Sequence, residues 1–362
     1  MNDLKRNGTI ELMRFLFASA VVLFHAVGDL YSFVKKIGHI GSIDITFFKN
    51  GYIGVEFFFV ISGFFMAKKI YKQIDTKEKQ KSLGEETVYY IWTKVKTILP
   101  YYIPACIVMM IIYIVYGDNV IKIISRIPSL LFLQQTGAFE YSFISIAWYI
   151  SAMLIGMAII YPLCKKFYST FTILIAPLLG LLIVGAIIHN TGNLGGVTEW
   201  SAITYKSNFR AIAELSLGTT CFEISRRISL VNFKKKSRII LSLAAFICYV
   251  VTFLFVNCDV PLTFSAHALI LICIAIIITL SNAGWVGRSG FMQRKLFLYL
   301  GSISLPLYLF QNVPRYLLPM ILPDLSPDKQ CVLIFVISLL LAVLMKIIVV
   351  KITNLRHKVS YQ

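Results

Sequence analysis

The chain has 362 residues, of which 58% are hydrophobic and only 14% charged, with a formal net charge of +18. One soluble core cannot hide that much apolar surface, so the composition excludes an ordinary water-soluble domain and places the chain in a bilayer. The excess of basic residues does not call for nucleic acid, because basic loops beside a membrane satisfy both insertion and contact with anionic lipid.

In chain order, apolar runs long enough to cross about 30 Å of hydrocarbon fall near 8–30, 51–70, 97–117, 145–163, 170–188, 209–224, 238–256, 264–282, 295–317 and 331–350. The expected fold is therefore all-α: one polytopic membrane domain of about ten helices. The first run is not read as a cleaved signal, since it holds Arg14 and His25 and leads directly into a second span. The run at 209–224 is short and broken by Arg210 and Glu214, which makes it the weakest of the ten.

Charge sets the orientation. With the N-terminus inside, 24 Lys and Arg fall in cytoplasmic segments and seven in outer loops, so both termini are expected in the cytoplasm. Seven scattered cysteines, without a Cys-x-x-Cys or a neighbouring His at ligand spacing, give neither a disulfide framework nor a metal site. A phosphate-binding loop and a Gly-x-Ser-x-Gly elbow are both missing from the sequence.

Chemistry is concentrated in the first two runs. Arg14 and His25 are eleven residues apart. On a helix that is about 20° in azimuth and about 16.5 Å in height, so they share a face. Charged residues inside a span default to function, and Glu11, three residues before Arg14, is its nearest partner. The bland alternative has Arg14 snorkelling to headgroups and His25 in an interfacial pocket. In the second run Glu56 lies at a depth like that of His25, and Gly51, Gly54 and Gly63 would let the two helices approach. Glu56 is accordingly expected to orient the His25 imidazole, with an ion pair to Lys49 or to another helix as the alternative.

These residues carry a resemblance. An Arg, ten residues, a His, and then "GVEFFFVISGF" resemble the opening of acyltransferase family 3, a group of bacterial integral-membrane proteins. Further on, "WTKVKTILPYY", "AWYISAMLIGMAIIYPL", "FRAIAELSLG" and "LGSISLPLYLFQN" follow in the family's order, with Lys94 and Lys96 where Arg is more usual and Gln311 where the family commonly has His. The stand-alone form, without a fused extracellular hydrolase-like domain, is the one it resembles.

The resemblance implies an enzyme of the cytoplasmic (inner) membrane of bacteria. It would move an acyl group, acetyl in the usual case, from acyl-CoA to a hydroxyl of an envelope carbohydrate or lipid-linked glycan. Acyl-CoA is a substrate in that reaction, and no bound cofactor is implied. His25 would be the general base and Glu56 its support; Arg14, Lys94 and Lys96 would hold the CoA phosphates. Trp148, Ser151, Tyr308 and Gln311 are candidates for the acceptor cavity. His267 reads as structural, and the Arg210–Glu214 pair reads most simply as helix-stabilising near the outer surface, with acceptor binding as the alternative. A transporter or flippase of a lipid-linked sugar is the competing reading, since helices with intramembrane charges suit it as well.

Overall fold

The computed structural model describes residues 7–30, 38–40, 43–76, 82–139, 141–192, 194–257, 264–282 and 290–359. It is a bundle of long helices. In chain order these are α1 (Gly8–Leu30), α2 (Ile53–Asp75), α3 (Leu83–Val115), the short α4 (Val120–Ser125), α5 (Trp148–Lys166), the single turn α6 (Tyr168–Thr170), α7 (Ala176–Thr191) and α8 (Lys206–Leu230). They continue with α9 (Lys235–Val256), α10 (Phe264–Asn282), α11 (Lys295–Phe310), α12 (Asn312–Ile321) and α13 (Pro327–Val359). Two small antiparallel pairs, Gly38–Ile40 with Ile43–Ile45 and Trp200–Ser201 with Thr204–Tyr205, sit in connections between helices.

Each expected run overlaps a helix. By length and composition, six helices among the described residues suffice to cross a membrane, or seven if α11 and α12 count as one span bent by 52°. The bend falls where Gln311 separates the two helices. Helix α3 is longer than its expected run because Ser82 opens it with a capping box: the Ser82 hydroxyl accepts from the Glu85 N–H, and the Glu85 carboxylate accepts from the Ser82 N–H. Its 33 residues make about 50 Å of helix, well beyond the hydrocarbon thickness.

The weakest run becomes the centre of the bundle. Helix α8 packs against α2, α5, α7 and α10. Fifteen of its residues are buried, among them Lys206, Arg210, Glu214 and Glu223. Its charges keep it from reading as a lipid-facing span, and enclosure by four helices is what they require. Small residues make that enclosure tight. A Cβ on Gly63 of α2 would strike the Leu215 carbonyl of α8, and one on Gly218 would strike the Val60 carbonyl of α2. Gly51 and Gly54 instead lie on α1, against the carbonyls of Ala20 and Phe17, and Phe17 stacks on Phe57 with centroids 4.5 Å apart. The first two helices therefore do approach through glycine, while Gly63 serves a different neighbour.

Between α3 and α5 the chain folds over one end of the bundle as a roof, residues 126–139 and 141–147. Ser129 is its hub: its carbonyl accepts from the Tyr102 hydroxyl at 2.8 Å, and its own hydroxyl accepts from the Phe143 N–H at 3.3 Å. Gln134 donates to the Ala147 carbonyl at 3.0 Å, and the Gln135 side chain accepts from the Ser207 hydroxyl at 2.5 Å. Phe132 takes a left-handed conformation there, φ 59°, and its ring lies 4.5 Å from that of Tyr102.

Candidate active site

Helix α1 carries Arg14 in its first half and His25 near its other end. Arg14 donates from Nη1 to Glu11 Oε2 at 3.0 Å, and Glu11 lies against Gly301 of α11, where any side chain would collide with it. Arg14 then reaches the wall of a cavity of about 310 Å³. Lys94 of α3 lines the same cavity, and the rest of the wall is mostly apolar, including Phe58, Met153 and Met157, with Tyr149 and Tyr308 among its few polar groups. The Lys94 ammonium also sits 5.3 Å from the centre of the Tyr90 ring, and Lys69 of α2 lies 5.0 Å from the same ring. Arg14 and Lys94 thus both line the cavity, and Lys69 shares the Tyr90 ring with Lys94 beside it.

At the other end of α1, His25 Nδ1 is 2.9 Å from Gln311 Oε1. The amide cannot be turned round, because its Nε2 donates to the Tyr308 carbonyl at 2.8 Å and a carbonyl only accepts. Oε1 must therefore face the imidazole, and it accepts the proton of Nδ1–H. In the neutral ring the lone pair then resides on Nε2. Tyr308, whose hydroxyl donates to the Ile146 carbonyl, is both a wall of the cavity and the anchor of Gln311. Next in the chain, the Asn312 amide lies 3.4 Å from the Ser145 hydroxyl and accepts from Arg315 at 3.3 Å. The break between α11 and α12 is thereby tied to the roof.

Several expected site residues are placed elsewhere. Glu56 does not hold His25. It is fully buried against α8, its Oε1 3.4 Å from Arg210 Nη2, and neither of its oxygens has a hydrogen-bond partner. Arg210 is shared, since its Nε donates to Glu214 at 2.8 Å and its Nη1 to the Leu194 carbonyl at 3.1 Å. The alternative reading of Glu56, an ion pair with another helix, describes it. Lys96 leaves the cavity because it is two residues from Lys94, about 200° round the helix; it stacks over Trp92 at 5.4 Å. Ser151 is no cavity wall either: its hydroxyl donates to the Phe132 carbonyl at 2.5 Å and accepts from the Gln135 N–H, which pins the roof. Trp148 packs its ring toward Phe59 and Tyr149, each 6.4 Å away between centroids. His267 is wholly buried in α10, and its ring makes no hydrogen bond.

Of the expected set, then, Arg14, Lys94 and Tyr308 meet at the cavity, with Gln311 and His25 behind Tyr308. Tyr149 and Lys69 were not singled out in the sequence. Tyr149 lies inside the quoted "AWYIS" string and Lys69 ends an apolar run in a pair of lysines, so neither has a local signal apart from its neighbours.

A family model described as an acyltransferase domain, that of acyltransferase family 3, matches residues 7–351. The chain belongs to this family. The match takes in every helix that lines the cavity, and it makes the protein a multi-pass membrane acyltransferase. No curated protein and no solved structure gives a match. The family assignment favours an enzyme over the transporter reading. Where the resemblance leads to the expectation of a His, Gln311 places an amide whose oxygen bonds the α1 histidine.

Proposed function

We propose that this chain transfers an acyl group, acetyl in the first instance, from acyl-CoA to a hydroxyl of an envelope carbohydrate. The observation that carries the reading is the His25–Gln311–Tyr308 chain at the edge of the cavity whose other end holds Arg14 and Lys94. The donor's phosphates are assigned to the cationic end. A guanidinium has five donors, and the Glu11 contact uses Nη1, so the remaining N–H groups suit a phosphate. Lys94 and Lys69 add positive charge at the same place.

The pantetheine arm fits the mostly apolar cavity, whose volume of about 310 Å³ lies in the range of small-molecule sites. It would bring the thioester toward Tyr308. There, His25 Nε2 takes the proton of the attacking hydroxyl while the sugar oxygen bonds to the acyl carbon. The tetrahedral adduct collapses as the C–S bond breaks, and the imidazolium returns its proton to the departing thiolate, giving ester and free CoA. Gln311 keeps Nδ1–H fixed throughout, a neutral substitute for the carboxylate that orients a catalytic histidine elsewhere.

The cationic end is also the end rich in basic loops. Placing it in the cytoplasm of the bacterial inner membrane puts the donor site where acyl-CoA is made and His25 toward the outer side. The test is twofold. Purified protein in lipid nanodiscs should release free CoA from acetyl-CoA in the presence of a saccharide and yield a product heavier by one acetyl group. A deletion strain should lack an O-acyl signal that its parent's envelope polysaccharide shows by proton NMR. Binding of a sugar with neither CoA release nor acylation would remove the reading.

A further inference from the structure

At the roofed end, the C-terminal part of α3 meets α12 in a cluster of tyrosines. The Tyr316 ring lies edge-on to Tyr113 at 5.7 Å and to Tyr116 at 6.3 Å, and the Tyr116 hydroxyl donates to the Tyr316 carbonyl. Arg126, the first residue of the roof, spreads its guanidinium over Tyr113 at 4.0 Å and lies 5.9 Å from Tyr141. Asp118 fixes Arg126 from behind at 2.8 Å. Tyr116 and Tyr141 remain 45% and 39% exposed.

An interfacial belt accounts for tyrosines scattered at headgroup depth. It does not account for an Arg–Asp pair, with Arg126 side chain 10% and Asp118 20% exposed, set among their rings. Aromatic faces next to a fixed guanidinium and carboxylate are the combination that receives a sugar ring: C–H faces pack on the rings, and hydroxyls at the edge bond to the charged groups.

We infer that Tyr116, Tyr141 and Tyr316 with Arg126 and Asp118 form a subsite for one pyranose unit of the carbohydrate acceptor, next to the unit that is acylated. The inference rests on the function proposed above. Its placement comes from continuity: Tyr316 lies on α12, the helix that begins directly after Gln311, and the Asn312 amide ties that junction to Ser145 of the roof. It follows that acceptors of two or more units are preferred over monosaccharides.

The experiment uses the full chain in nanodiscs with acetyl-CoA. The acceptors are methyl glycosides of glucose, galactose and N-acetylglucosamine, and the di- to tetrasaccharides of each. CoA release and acetylated product are both measured. For the best oligosaccharide, Tyr116→Ala and Tyr141→Ala should raise the acceptor KM roughly tenfold, on the scale of a lost aromatic contact, with kcat and the acetyl-CoA KM within about twofold. Tyr116→Phe and Tyr141→Phe should recover most of the loss. Tyr299→Ala, exposed on α11 outside the cluster, should leave the acceptor KM alone.

Unchanged acceptor KM in both alanine variants would overturn the subsite and leave the carbohydrate reading standing. A joint fall in kcat and donor affinity would overturn it too, assigning the rings to packing. Failure of the parent to acetylate any saccharide while still binding acetyl-CoA would overturn the carbohydrate reading and the subsite with it.

Discussion

Gln311 accepts a hydrogen bond from His25 Nδ1 across 286 positions of sequence, and its own amide is locked by the Tyr308 carbonyl three residues before it. That relationship converts an apolar helix with one histidine into a helix whose histidine has a defined tautomer. A residue that acts through another should change turnover without changing donor affinity. Gln311→Met keeps the volume and removes the acceptor, and it should lower kcat by roughly 10- to 100-fold, the scale of losing a group that orients a functional histidine. The acetyl-CoA KM should stay near parental. Gln311→His, which restores the family's usual residue and an acceptor nitrogen, should recover part of the rate. Parental kcat in Gln311→Met would show that the contact is packing alone.

If His25 is the base, His25→Ala should lose acyl transfer by roughly 100- to 10,000-fold, the usual worth of general base catalysis. The protein should still insert, accumulate and bind acetyl-CoA. The comparison is His267→Leu, which replaces a ring that makes no hydrogen bond with an apolar side chain of similar size and should keep transfer near parental. Transfer that survives His25→Ala in purified protein takes His25 out of the mechanism.

The donor assignment needs a variant that respects Glu11. Arg14→Ala would leave that carboxylate, 6% exposed at its side chain, without its guanidinium, so lost binding and lost packing would mix. Arg14→Gln with Glu11→Gln removes both charges together. Donor binding measured by calorimetry should weaken by about 1.5–3 kcal/mol, the worth of hydrogen bonds to a charged group, while thermal unfolding changes little. Parental affinity in the double variant would leave Arg14 as a structural partner of Glu11.

The legible part of this protein is the part its local pattern determines. Apolar runs fix the helices, and Arg14, Glu11 and His25 stand out because charge in an apolar helix demands a reason. The Arg14–Glu11 pair is three residues apart and is where the sequence puts it. Glu56 is different. Depth alone favours His25 as its neighbour, but Gly63 and Gly218 bring α2 onto α8, and the carboxylate turns to Arg210 instead. That pairing depends on which two helices pack most closely, which periodicity does not carry. The roof is equally hidden, since its hydrogen bonds run through Ser129, Gln134 and Gln135, polar residues that look alike in any loop, and through Ser151 of α5, whose partners lie 16 and 19 positions away.

Glu56, Arg210 and Glu214 give the sharpest test of that correction. Removing the one cation from between two buried carboxylates should be far worse than neutralising one of them. Arg210→Met should cost about 3–5 kcal/mol, the penalty of leaving buried charge uncompensated. It should appear as a lowered unfolding temperature in detergent and poor accumulation. Glu56→Gln keeps the shape and a hydrogen-bonding group, so it should accumulate normally and keep kcat within a few-fold. Loss of transfer in a well-folded, donor-binding Glu56→Gln protein would return Glu56 to the catalytic set.

Orientation can be read with cysteines introduced on either side of the membrane. The six described native cysteines are buried, so labelling of the parent by an impermeant maleimide should be low once Cys258 is replaced by Ser. Ser82 is unsuitable as a probe because it caps α3, and its loss costs about 1 kcal/mol. Gln80→Cys, between α2 and α3 in the sequence, and Thr198→Cys, exposed between α7 and α8, are used instead. With 24 basic residues on one side against seven on the other, the α2–α3 connection belongs in the cytoplasm. Gln80→Cys should therefore react only after lysis and Thr198→Cys in intact cells as well. The opposite pattern would put the Arg14–Lys94 end outside, beyond the reach of cytoplasmic acyl-CoA, and would undo the donor assignment along with the topology.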